Sequence, residues 1–262
     1  MPEGHTIHRA ARDQTRWIAG ETLAISSPQG RFAEQAGQID GRRLDTVEAY
    51  GKHLLYRFEN APTLHVHLGL FGRFTHHKVP AREPRGAVRV RFSGSRFILD
   101  LNGPNACELL EPPQIAHLLG RIGPDPLRAD ADPERAYRRI AKSKAPIGLL
   151  IMDQAVMAGV GNIYRTEILW RQRLHPETPG AALSRQAFDA LWADAKDLLA
   201  LGVKTNMIVT VDLERGRAAK TKYRERTNIF AHECCPSCAG AIRRFEMAAR
   251  RAFVCETCQP PV

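Results

Sequence analysis

Residues 152–176 read MDQAVMAGVGNIYRTEILWRQRLHP. Gly159 and Gly161 permit tight turns and the close approach of another backbone. Asn162 follows at the start of a helix, where its side chain can cap and free N–H groups can face a phosphate. Taken alone, G-x-G-N describes a capped helix without a ligand as readily as an anion site. The sequence on either side narrows the choice.

Around this stretch the apolar period is helical. It predicts helices over 133–142, 146–157, 162–173 and 184–201, the last with Leu183, Phe188, Leu191, Trp192, Ala195, Leu198 and Leu199 on one face. Upstream, RIGPDPLRADADP (121–133) is a Pro- and Asp-rich break. Before it the period is two: TLAISS, RRLDTVEAYG, HLLYRFE, TLHVHLGLFGRF and AVRVRFSGSRFILDL are β-branched or alternating, and FSGSRF has the look of a hairpin turn. An amphipathic helix leads this half over 3–19, with Gly20 as its stop. The expected fold class is α+β: an N-terminal β-sandwich with a leading helix, then a helical domain ending in a cysteine hairpin. The expected domains are 1–120, 131–225 and 226–262.

The chain has 262 residues, 38 basic and 28 acidic, for a net charge of +10. Residues 1–130 hold 17 basic and 14 acidic side chains; the remainder hold 21 and 14, so the excess lies mainly in the second half. Such a balance suits a polyanionic partner without proving one. The run DLERGRAAKTKYRERTN (212–228) adds to it, as a basic loop or ragged strand or as a solvated linker. No apolar run is long enough to span a membrane. Glu3, His5, His8 and Arg9 interrupt any secretory core. A cytoplasmic location is expected.

Cys235, Cys238, Cys255 and Cys258 form C-x2-C, sixteen intervening residues, C-x2-C. Two such knuckles on a hairpin complete a tetrahedron around one Zn²⁺. A cytosolic chain disfavours disulfides. Four protein ligands leave no open position, so the zinc is expected to be structural. Cys234 breaks the spacing, His232 is a poorer donor, and Cys107 is expected to be a small buried residue. The hairpin carries Arg243, Arg244, Arg250 and Arg251.

The N-terminus MPEGHTIHR places Pro2 where removal of Met1 exposes a secondary amine, although Pro is also favoured at a helix start. Glu3 alone suits the first turn of a helix, and Lys52 alone is an ordinary strand lysine.

MPEG, YGKHLL, HLGLFG, RIGPDPL, MDQAVMAGVGNIYRTE and the paired C-x2-C knuckles stand in the order found in formamidopyrimidine-DNA glycosylase and endonuclease VIII. The chain resembles that base-excision repair family over essentially its whole length, the endonuclease VIII branch most. The resemblance implies a bifunctional DNA glycosylase and abasic-site lyase with a helix-two-turn-helix module and a zinc finger. Pro2 matches the family's nucleophile; an α-amine with a reference pKa of about 8 suits neutral pH better than lysine at about 10.4. Glu3 matches the general acid/base and Lys52 the proton donor of the elimination. Asn162 and Arg121 match residues that hold phosphates around the lesion. Arg250 matches the finger-tip arginine assigned the second elimination, with Arg251 one residue away. Leu70 and Phe71 would fill the gap left by an everted nucleotide, the alternative for both being strand core. The implied partner is damaged double-stranded DNA, bound by a monomer associated with the bacterial nucleoid.

Some residues depart from the family pattern. His5 replaces a usual Pro, and Gly69 stands where endonuclease VIII has a Gln. DLNGPNACEL lacks the Arg-Arg-Phe loop of the purine branch, which favours oxidised pyrimidines over 8-oxoguanine-type lesions. FAHECCPSC lacks the Gly-x-Pro before the first Cys, which bears on local finger geometry. The rivals are a purine-lesion glycosylase and a non-catalytic damaged-DNA-binding protein on the same scaffold.

Overall fold

The computed structural model describes residues 2–80, 82–212 and 222–261. The chain forms two compact units, Met1–Arg121 and Ile122–Val262.

In the first unit α1 (Gly4–Ile18) turns Ile7, Ala11, Gln14 and Ile18 inward, the spacing of one helix face. Eight strands follow: β1 (Ala24–Ser26), β2 (Leu44–Tyr50), β3 (His53–Phe58), β4 (Thr63–His67), β5 (Arg73–Lys78), β6 (Val88–Ser93), β7 (Phe97–Asn102) and β8 (Ala106–Leu110). They make two four-stranded antiparallel sheets, ordered β1-β6-β7-β5 and β2-β3-β4-β8. Leu54, Tyr56, Leu64 and Val66 of one sheet join Val90, Phe92, Leu99 and Leu101 of the other in a single core. Tyr56 stacks on Phe92 at 5.1 Å and donates its hydroxyl to Gln14 Oε1 at 2.5 Å, so its one polar atom is satisfied. Strand alternation then assigns His53, His65, His67 and Glu108 to the opposite face of β3, β4 and β8. Two helices lie outside the expected set: α2 (Ala33–Ile39) and α3 (Pro112–Arg121).

In the second unit α4 (Pro133–Ala141) is capped by Asp132, whose carboxylate accepts from Glu134 N at 3.0 Å. The expected helix over 146–157 is cut short: α5 spans only Ile147–Leu150. Beyond it Asp153 Oδ1 accepts from Ala155 N at 2.9 Å, and Gln154 bonds Met152 O, Val160 O and Gly159 N. These local bonds replace the helical ladder and build the loop that leads into α6 (Asn162–Arg171). Residues 162–169 are all buried, as a helix at the centre of a bundle must be. Helix α7 (Arg185–Thr205) starts on Ser184, runs through Gly202 and stops where Asn206 turns left-handed at φ 58°. A hairpin of β9 (Arg243–Met247) and β10 (Arg250–Val254) completes the unit. Most of the basic run, 213–221, lies outside the described residues.

Candidate active site and metal centre

Glu3 is the N-cap residue of α1: its carbonyl accepts from Thr6 N at 2.9 Å, but its side chain makes no capping bond. It is 0% exposed. A carboxylate kept at a helix end for the dipole alone stays in water, because burial of the charge is costly. The helix-start explanation of Glu3 therefore does not account for its position. Pro2 immediately precedes it. His5 is buried beside it, and burial lowers its pKa to about 4, so it stays neutral at pH 7.

Lys52 occupies the second position of a two-residue turn between Tyr50 and His53, with Gly51 at φ 55° in the first. The turn holds the half-buried lysine at the end of the β2-β3-β4-β8 sheet. On the outer face of that sheet His53 Nδ1 lies 2.8 Å from His65 Nε2, and His65 Nδ1 lies 3.0 Å from Glu108 Oε1. The His67 ring packs on His53 at 4.9 Å.

Leu70 and Phe71 sit in a loop, not in a strand, at 54% and 85% exposure. Gly72 N bonds Leu68 O at 2.9 Å, and a Cβ at Gly72 would lie 2.3 Å from that oxygen, so the loop closes too tightly for any other residue. Core packing thus explains neither side chain. Arg121 ends α3, exposed, in a cavity of about 390 Å³ shared with Glu108, Gln114 and His117.

In the second unit Asn162 begins α6, but Gly161 is the N-cap and Asn162 makes no capping bond. Instead its Nδ2 donates to Arg251 O at 3.1 Å, and its Oδ1 accepts from Arg165 Nη2. The cap expected from the sequence is corrected to a tie between α6 and the hairpin. Arg250 and Arg251 follow the hairpin turn and are exposed. That turn is Ala248–Ala249, at φ 51° and 55°, a left-handed pair where Asn-Gly is the usual choice. Arg243 is otherwise engaged, with Glu177 at 3.1 Å and Glu256 at 2.7 Å.

The Sγ atoms of Cys235, Cys238, Cys255 and Cys258 lie within 4.8 Å of one another. The Cys235–Cys258 and Cys238–Cys255 separations are 3.8 and 3.4 Å. A tetrahedron with Zn–S bonds of about 2.3 Å has edges of about 3.8 Å, so the donor set and its size fit one zinc-like ion. Trp170 Nε1 donates to Cys235 Sγ at 3.3 Å, and Gly240 N to Cys238 Sγ at 3.4 Å. Cys234 is exposed and outside the cluster. His232 bonds Thr227 rather than joining it. Cys107 is half-buried, and burial pushes its thiol up to about 12.

Residues 1–105 match the formamidopyrimidine-DNA glycosylase N-terminal domain, and residues 122–212 match the formamidopyrimidine-DNA glycosylase H2TH domain. Endonuclease 8 1 of Mycobacterium tuberculosis is 44% identical over 267 residues, 99% of this chain and 100% of the relative. The chain belongs to the formamidopyrimidine-DNA glycosylase/endonuclease VIII family. A second relative, formamidopyrimidine-DNA glycosylase of Chloroflexus aurantiacus, is 31% identical over 278 residues, covering 99% of this chain and 98% of its own. The fold is also that of Lactococcus lactis Fpg, solved in complex with DNA containing an N7-benzyl-Fapy-dG. That match has a TM-score of 0.81 at 21% identity and covers 99% of this chain and 100% of the other.

The H2TH segment of this family member holds a residue to which the sequence reading gave no role. Glu167 on α6 is 0% exposed and accepts five hydrogen bonds. Oε1 takes Ile229 N (2.9 Å) and Phe230 N (2.7 Å); Oε2 takes Thr210 Oγ1 (2.6 Å), Asn228 N (2.7 Å) and Asn228 Nδ2 (2.9 Å). The carboxylate thereby fixes the chain on both sides of 213–221 and leads it into the cysteine hairpin. Glu167 ends the stretch MDQAVMAGVGNIYRTE, but its partners lie more than forty residues away. His53, His65, His67 and Glu108 were likewise unremarked; the alternation of His65 and His67 was the available signal.

Proposed function

We infer that this protein is a DNA glycosylase of base-excision repair with abasic-site lyase activity, acting on oxidised bases, pyrimidines in preference. The observation that carries the reading is Glu3, a buried carboxylate that follows Pro2 and does not cap its helix, in a member of this family. With Met1 removed, the Pro2 nitrogen attacks C1′ of the damaged nucleotide. The C1′–N bond breaks and its electron pair leaves with the base, which takes up the proton released from the Pro2 nitrogen. Glu3 protonates the ring oxygen as the sugar opens, leaving a Pro2 iminium. The iminium acidifies C2′; loss of that proton and departure of the 3′ phosphate cleave the strand. Lys52 supplies a proton in this elimination. Arg121, Asn162, Arg250 and Arg251 hold phosphates, and Arg250 serves the second elimination. Leu70 and Phe71 occupy the gap left by the everted nucleotide. Each large side chain moved from water to an apolar site yields roughly 1.5–3 kcal/mol, against an extrusion cost of a few kcal/mol.

The four cysteines hold one structural Zn²⁺, which takes no part in the chemistry and fixes the hairpin that carries Arg250. The protein acts as a monomer in the bacterial cytoplasm, on double-stranded DNA. Among the described residues no helix is long and apolar enough to cross a membrane. The absence of an Arg-Arg-Phe loop between β7 and β8 and the 44% relative named endonuclease 8 1 support the pyrimidine preference. Borohydride reduction with abasic-site duplex should cross-link the protein through Pro2. A protein with a verified block ahead of Pro2 that still cross-links fully would overturn the assignment, and a lesion panel tests the base preference.

A further inference from the structure

The three histidines on the outer face of the β2-β3-β4-β8 sheet have no part in the chemistry above. Among the described residues, the cysteine cluster is the one group of three or more side chains with ligand atoms close enough to share an ion. The geometry of the histidines is instead that of a directed line of hydrogen bonds. An ionised carboxylate only accepts, so Glu108 requires the proton of His65 on Nδ1, across 3.0 Å. His65 Nε2 is then an acceptor, and the 2.8 Å contact requires the proton of His53 on Nδ1. His53 Nε2 is left as a lone pair.

We propose that Glu108, His65 and His53 form a chain of fixed tautomers that presents His53 Nε2 as an acceptor on the face bearing Lys52, and so positions the lysine ammonium for its proton transfer. This deepens the function proposed above and rests on it for the role of Lys52. The groups acting on His53 are Lys52 from the β2–β3 turn, His65 and His67 from β4, and Arg121 from α3; Glu108 from β8 faces His65. The surroundings keep the three histidines neutral. Burial, with His65, His67, Arg121 and Lys52 adding to it in that order, lowers the pKa of His53 to about 3, and burial lowers those of His65 and His67. A neutral imidazole accepts from an ammonium, whereas an imidazolium would repel it. The outer end of the chain is open: Glu108 is half-exposed at the cavity lined by Gln114, His117 and Arg121.

The test uses the full-length, metal-loaded protein labelled with ¹⁵N-histidine, and Glu108→Ala, which removes the acceptor at a half-exposed position where truncation should not disturb folding. At pH 7 long-range ¹H–¹⁵N correlations should show both His53 and His65 protonated on Nδ1. In Glu108→Ala that preference should weaken at both residues together. Either residue protonated on Nε2 in the unaltered protein, or unchanged tautomers in Glu108→Ala, overturns the chain. Cleavage of a preformed abasic site should then lose kcat by about tenfold to a hundredfold with KM little changed, the cost of a misplaced reacting group. His117→Gln, in the same cavity but outside the line, should leave tautomers and kcat unchanged. Full kcat in Glu108→Ala overturns the positioning role. Failure of the Pro2 reading is separately visible as a missing borohydride adduct in the unaltered protein, while the tautomer result stands or falls by itself.

Discussion

Replacing Glu167 by Gln keeps its shape and removes its charge and one acceptor. The magnitude follows from the geometry around the carboxylate. If the new NH2 group takes the Oε1 position it faces Ile229 N and Phe230 N; if it takes the Oε2 position it faces Asn228 N and Asn228 Nδ2. The Thr210 hydroxyl can rotate to accept, but an N–H cannot. Either orientation sets at least two buried N–H donors against a donor. Hydrogen bonds to a charged group contribute about 1.5–3 kcal/mol each, so the loss is about 3–6 kcal/mol. At roughly 2–4 °C per kcal/mol for a unit of this size, the lower figure alone lowers Tm by about 6–12 °C. Urea unfolding followed by circular dichroism, with a thermal scan beside it, measures both. The bonds join α6 to the lead into the hairpin, so metal retention against a chelator should weaken in parallel. A Glu167→Gln protein within about 1 kcal/mol of the parent would refute the reasoning and show that the site repacks around an amide.

Leu70→Ala should leave stability within about 0.5 kcal/mol, because the side chain is exposed, yet weaken capture of a base paired in duplex more than of one in single-stranded DNA; an equal loss on both substrates would remove Leu70 from the gap-filling role. Arg250→Ala should flatten the salt dependence of DNA binding by about one unit of slope, whereas the neutral Asn162→Ala should weaken binding at constant slope; titrations across salt concentrations decide it. One zinc per chain is expected by metal analysis, and Cys258→Ser should lower both its occupancy and DNA affinity; active protein prepared without chelator and free of zinc contradicts this. Stability should fall as pH drops from about 6.5 towards 5. His5 and His53 have folded pKa values lowered to about 4 and 3, so the unfolded chain binds more protons in that window, and each group adds a slope of up to about 1.4 kcal/mol per pH unit. A flat profile between pH 5 and 6.5 in salt-matched denaturation would contradict it.

The elements most legible in the sequence are those with one clean buried face. Helix α1 and strands β2, β3, β6 and β7 each show their period because half of each is in the core. Helix α3 was not legible: it opens on Pro112–Pro113 and buries only Ile115, so it carries almost no apolar stripe. Helix α5 was overextended because Asp153 and Gln154, ordinary helical residues by spacing, spend their side chains on loop backbone instead. Helix α7 runs to Thr205, past the expected end at 201, with Gly202 buried inside it, so packing outweighs the low helix propensity of glycine. At the candidate site the sequence names residues but not their partners. Asn162 was expected to cap its own helix; its contact is the carbonyl of Arg251, 89 residues on. Such long-range pairings leave no periodic trace. The cysteine cluster is the opposite case, since its spacing alone encodes the tetrahedron.

The cysteine hairpin also has an electrical polarity. With a divalent ion bound, four thiolates leave its foot with a net charge of −2, only partly spread into the Trp170 and Gly240 N–H groups. Its far end, beyond the Ala248–Ala249 turn, carries the cations of Arg250 and Arg251. The hairpin is therefore a small fixed dipole about five residues long in each strand, negative at the metal and positive at the tip. Within the roughly 8–10 Å reach of unscreened charge, such a dipole favours a polyanion at the tip over the metal end. On the proposed function, the ion that stiffens the hairpin also favours its tip over its foot as the end that meets a polyanion.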